Sequence, residues 1–143
     1  AVTGPFPEKN KPVIDLNHPV DSKNIEWSKP AVGPPGRITL PPSSEVGNVV
    51  ALVAADVSAP SAMRTRLQLG AAHPVHVWLN GKEVYQGKPG TSRALPDQVG
   101  FDVDLRHGVN RLLFQITYQG NKEALYTRLL DPMRKLEYPQ GTK

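Results

Sequence analysis

Two short apolar runs on either side of Asn80-Gly81 constrain this chain more than any other feature. Residues 75–79 precede the pair and residues 82–86 follow it. Asn-Gly in that setting predicts a two-residue type I′ turn, which needs φ > 0 at both positions. Asn tolerates that region and Gly enters it freely. The turn sets a register in which Leu79 faces Lys82, Trp78 faces Glu83, Val77 faces Val84 and His76 faces Tyr85. One face of the ribbon then carries Val75, Val77, Leu79 and Val84 and belongs in a core. The other carries His76, Trp78 and Tyr85 around Glu83, and something must cover it: more of this chain, a partner or a ligand.

The remaining strands follow from alternation and punctuation. With 15 Pro and 12 Gly in 143 residues, short strands and turns are favoured over long helices. Residues 37–40 predict a first short strand. Residues 48–57, rich in β-branched and small side chains, read as a strand buried on both faces. Met63, Thr65 and Leu67 alternate with Arg64, Arg66 and Gln68. Phe101, Val103 and Leu105 point inward between Asp102, Asp104 and Arg106. Leu112, Phe114, Ile116 and Tyr118 share one face, and residues 124–130 form a last strand. Residues 107–110 and 119–122 read as hairpin turns, and Asp131-Pro132 as the start of one helical turn. Seven or eight short strands with regular turn signals and no helix predict an all-β sandwich.

Residues 1–35 have a different character. Seven prolines (Pro5, Pro7, Pro12, Pro19, Pro30, Pro34 and Pro35) exclude a helix or a central strand, because Pro lacks the N–H donor and fixes φ. The segment reads as an extended Pro-rich arm, held through Phe6, Ile14, Leu16 and Trp27 either to its own domain or to a neighbour. Residues 36–143 are then the sandwich domain. The chain opens on Ala1 rather than Met, which fits an exported protein after leader removal or a piece of a longer chain.

Several chemistries are disfavoured. Cysteine is absent, which removes disulfides, thiolate ligands and cysteine nucleophiles from this chain. No apolar run approaches the roughly 20 residues of a membrane-spanning helix. The net charge of +4 is scattered rather than gathered in the stripe a nucleic-acid binder needs. His73 and His76, three apart on a strand, point to opposite faces and make no ligand pair. No nucleophile elbow, phosphate loop or dinucleotide fingerprint occurs, so neither catalytic residues nor a cofactor are expected.

From Trp78 to Gly81, through residues 96–98 and 103–113, to residues 126–129, the order of motifs resembles the galactose-binding-like jelly-roll domains of bacterial extracytoplasmic proteins. The Leu79-Asn80-Gly81 turn and the later Gly108, Asn110 and apolar run carry the likeness, which covers about 85 residues from Met63 to Asp131. Such domains are appended to glycoside hydrolases as carbohydrate-binding modules, and close variants accompany cytochrome-bearing or dehydrogenase-like proteins of planctomycete-type bacteria. The resemblance implies an eight- or nine-stranded jelly roll without catalytic residues, in a periplasmic or extracellular setting, and many members carry a structural calcium. Asp97, Asp102 and Asp104 are the nearest acidic group here, but the last two read as the solvent face of a strand, so no metal site is assigned.

Two functions fit. The first is an interaction module, an accessory subunit whose arm and outer face dock onto other protein subunits of a larger, redox-type assembly. The long arm favours it. The second is a carbohydrate-binding module that uses the His76, Trp78 and Tyr85 face, with Arg93 and Asp97 on the following loop bonding to hydroxyls.

Overall fold

A computed structural model describes residues 2–7, 32–33, 37–40, 49–89, 94–118, 124–131 and 135–137, with the backbone alone for 4–7 and 32–33. Ten strands follow one another: β1 (Val2–Pro7), β2 (Val32–Gly33), β3 (Arg37–Thr39), β4 (Val49–Ala59), β5 (Met63–Gly70), β6 (Val75–Leu79), β7 (Lys82–Gly87), β8 (Val99–Leu105), β9 (Gly108–Tyr118) and β10 (Ala124–Leu129). They form two five-stranded sheets, ordered β1-β4-β9-β6-β7 and β2-β3-β10-β5-β8. Every pairing is antiparallel.

Counting β3 to β10 as strands one to eight, the sheets read 2-7-4-5 and 1-8-3-6, with β1 and β2 added at the edges. That is jelly-roll connectivity, in which the chain passes repeatedly from one sheet to the other. The expected sandwich is therefore present, but two of its expected hairpins are not. β8 and β9 lie in different sheets, as do β9 and β10, so neither pair of consecutive strands forms the expected hairpin. Alternation reports which face of a strand is buried and is silent about which sheet holds it. The long pairing decides: β9 lies against β4 from Val49↔Tyr118 to Ala59↔Gly108.

β4 is buried on both faces, as its composition predicts. Val49, Ala51, Val53, Val57 and Ala59 join the main core between the sheets, with Leu67, Leu69, Val75, Val77, Val103, Leu105, Phe114, Ile116 and Leu125. Val50, Leu52 and Ala54 face outward and form a second apolar cluster with Leu113 of β9, against which Trp78 packs. Each fully buried Val or Leu contributes roughly 1.5–3 kcal/mol.

Both ends of the 1–35 segment enter the sheets. β1 pairs with the outer edge of β4, and its register slips between Thr3 and Phe6, at Pro5, where a missing donor costs least. Val2 and Thr3 are buried there. β2 pairs with β3. Ile14, Leu16 and Trp27 lie outside the described residues, and of Phe6 the backbone alone is described, opposite Val50.

Past β10 the Asp131 carboxylate accepts the amides of Lys135 and Leu136 at 2.8 and 2.9 Å. These are four and five positions on, whereas a helix N-cap takes those two and three on. Leu136 is buried in the main core, and Glu137 pairs with Ser58 of the first sheet.

Candidate functional site

The hairpin turn has the predicted backbone, with φ of 51° at Asn80 and 83° at Gly81. Its Asn does more than tolerate the turn. Asn80 N–H donates to the Arg111 carbonyl at 2.8 Å, and Asn80 Oδ1 accepts the Arg111 N–H at 2.9 Å, clamping the turn onto β9. Leu79↔Lys82 and Trp78↔Glu83 pair as expected.

Beyond them the register slips: Val77 faces Tyr85, and His76 faces Gln86. Val84 is the extra residue of a β-bulge, which sets two residues of β7 against one of β6. The expected trio of His76, Trp78 and Tyr85 is thereby divided. Tyr85 turns inward with Val84 and packs on the main core. Its ring stacks on Phe101 of β8 with centroids 5.0 Å apart, closing the sandwich where the β7 and β8 edges meet. Gly87 leaves room for this ring, since a Cβ there would sit 2.9 Å from the phenol oxygen. Burial pushes the Tyr85 phenol pKa up. The clue in the sequence is the adjacency of Val84 and Tyr85, two apolar residues in a row that break the alternation.

His76 and Trp78 remain together on the outer face of the first sheet. Their rings stack at 5.7 Å, 13° from parallel. Gln86 and Gln115 stand opposite His76 on the two neighbouring strands, and Glu83 and Leu113 stand opposite Trp78. His76 Nδ1 lies 3.9 Å from Glu83 Oε2. Further along the same face, Arg111 Nε is 3.9 Å from Asp56 Oδ1. Trp78 thus packs against the apolar cluster of Leu113, Val50, Leu52 and Ala54, and the ring pair is rimmed by a carboxylate and two carboxamides. Glu83 was legible in the hairpin. Gln86 came into place through the bulge and Gln115 through a pairing some 40 residues distant in sequence, which no local pattern reports.

The other expected contributors stand elsewhere. Arg93 lies outside the described residues. Asp97, at φ 57°, holds Arg128 of β10 through two bonds, Nε to Oδ1 at 3.0 Å and Nη2 to Oδ2 at 2.6 Å. Those bonds keep its carboxyl below the usual carboxylate range. Its loop is pinned at the second sheet: Gln98 Oε1 accepts the Ala71 N–H at 2.9 Å, and the Leu95 carbonyl fills the space where a Gly70 side chain would stand. Asp97 is therefore on the other side of the sandwich from Trp78. Asp102 and Asp104 each face an arginine across the β5–β8 pair, Arg66 at 3.7 Å and Arg64 at 2.9 Å. Each of these three carboxylates thus faces an arginine, closely for Asp97 and Asp104 and more loosely for Asp102. Among the described residues no three His, Asp or Glu side chains gather as a metal site would require.

No family model and no curated protein matches the sequence. Two solved structures are similar to it in strand arrangement. One is a family 35 carbohydrate-binding module from an environmental isolate, 16% identical, with a TM-score of 0.44 over 64% of this chain and 69% of that one. The other is a family 35 carbohydrate-binding module from Clostridium thermocellum, also 16% identical, with a TM-score of 0.43 over 66% of this chain and 85% of that one. At this level of similarity neither says what the chain binds.

Proposed function

We propose that this chain is a non-catalytic carbohydrate-binding domain that takes a sugar ring on the outer face of its first sheet. The observation that carries the reading is the stacked His76–Trp78 pair, edged by Glu83, Gln86 and Gln115 on adjoining strands. Aromatic faces suit the C–H face of a pyranose, and short polar side chains around them fix the ring through its hydroxyls. Glu83 accepts from hydroxyls, while the two carboxamides both donate and accept. Polysaccharides of this kind are met outside the cytoplasm, which is where the domain would work. Docking onto a larger assembly, the other reading, rests on arm side chains outside the described residues, so the platform ranks above it.

The test is binding of the intact chain to a panel of plant, microbial and animal glycans, followed by calorimetry on the best ligand. The reading predicts saturable binding that Glu83→Ala and Gln86→Ala each weaken about tenfold, the loss of one good hydrogen bond, with unchanged melting temperature. Absence of any glycan ligand, or variants that bind as the parent does, would sink it.

A further inference from the structure

We infer a second binding site on the opposite sheet, shaped for an organic carboxylate with a short apolar body. It arises where β10 leaves β5. Leu130 still donates its N–H to the Arg66 carbonyl at 2.9 Å, and its own carbonyl accepts the Thr65 hydroxyl at 2.5 Å. Beside this end of β10 lies a groove of about 410 Å³, lined by Met63, Thr65, Arg66, Leu130 and Lys135 among others. That volume is within the range of small-ligand sites.

The charges of the groove are unequally committed. The outer face of this sheet carries three arginine–aspartate pairs, and two of them are closed. Arg64 meets Asp104 through two bonds, at 2.9 and 3.3 Å. Arg128 meets Asp97 likewise, at 2.6 and 3.0 Å. Arg66 is the open one. Its nearest carboxylate, Asp102, is 3.7 Å away, past hydrogen-bond distance, and its guanidinium donates no side-chain bond among the described residues. Gly100 of β8 leaves room for that guanidinium, since a Cβ there would come within 2.7 Å of Arg66 Nη2.

Lys135 lines the same groove and makes no ion pair among the described residues. The other lining carboxylate, Asp131, already accepts the amides of Lys135 and Leu136. Two cationic donors without close acceptors therefore line one groove together with Met63 and Leu130. A guanidinium fork binds a carboxylate through two parallel bonds, and a lysine adds a point charge from the far side. The ligand's apolar part then covers Met63 and Leu130, while Asp102 stays as the weak partner it displaces.

The experiment is an amide-resonance titration of the whole chain with hexanoate, beside 1-hexanol and sodium sulfate as probes of the apolar and the charged half alone. Saturable shifts at Arg64, Arg66, Asp102, Leu130 and Lys135 are expected with hexanoate and not with either control. Arg66→Gln and Lys135→Gln, both on solvent-facing side chains, are expected to weaken binding at least tenfold without changing the melting temperature. No saturable shift, an equal response to hexanol or to sulfate, or an Arg66→Gln variant that binds as the parent does would each overturn the assignment. The resonances of His76 and Trp78 stay still throughout, so this outcome is separate from the glycan reading.

Discussion

Asn80 Nδ2 donates to Asn110 Oδ1 at 3.0 Å, joining two turns that are 30 residues apart in sequence. Asn110 is fully buried, and its side chain is saturated. Its Oδ1 also accepts the Arg106 N–H at 2.9 Å, and its Nδ2 donates to the carbonyls of Arg106 at 2.9 Å and Gly108 at 3.1 Å. One carboxamide thus closes the arch from β8 to β9 and ties it to the β6–β7 hairpin. Gly108, at φ 94°, supplies the left-handed residue inside that arch. The Asn-Gly and Gly-x-Asn motifs that stand out in the sequence meet here as structure, not as a ligand site.

Asn110→Ala leaves several buried backbone groups without partners and is expected to cost about 3 kcal/mol in chemical denaturation. The double-mutant cycle with Asn80→Ala should give a coupling of about 1 kcal/mol. Additive losses would show that the two turns are held independently.

Thr127 offers the opposite case. Its hydroxyl is buried on β10 and makes no hydrogen bond among the described residues. Thr127→Val keeps the β-branched shape and removes an unsatisfied polar group, so the melting temperature should rise, by an amount equivalent to about 1 kcal/mol. A fall would mean that the hydroxyl has a partner in solution, such as water.

The Asp97–Arg128 pair gives an acid-side prediction. Its hydrogen bonds lower the Asp97 carboxyl pKa in the folded chain. A carboxyl lower when folded than when unfolded adds stability above its unfolded pKa, and that share disappears as pH falls through the folded value. The pair is solvent-exposed, so the share is at most about 1 kcal/mol. Asp97→Asn should therefore lower stability at neutral pH and converge on the parent in strong acid. Parallel stability curves for the two proteins down to that limit would contradict the assignment.

Strand faces were legible because burial follows a period of two, and the Asn80-Gly81 turn because its φ requirement admits few residues. The bulge at Val84 escaped a strict count of facing pairs, and with it went the expected position of Tyr85. The sheet assignment of β8, β9 and β10 was not legible, since it depends on which distant strand each one meets. Of the five expected site residues, His76 and Trp78 share a face because they stand two apart on one strand. Asp97 depended on loop geometry that local patterns do not encode, and its charge goes to an arginine 31 residues away.

The most direct test of the sugar platform reads Trp78 itself. The chain has two tryptophans, Trp27 and Trp78, so Trp27→Phe leaves Trp78 as the single indole reporter, with its melting temperature compared to the parent. Titrating this variant with the best oligosaccharide from the glycan panel should change Trp78 emission saturably. The midpoint should equal the calorimetric dissociation constant, and the bound sugar should shield the indole from acrylamide. Sugar binding that saturates while Trp78 emission and quenching stay constant would place the ligand elsewhere and contradict the account.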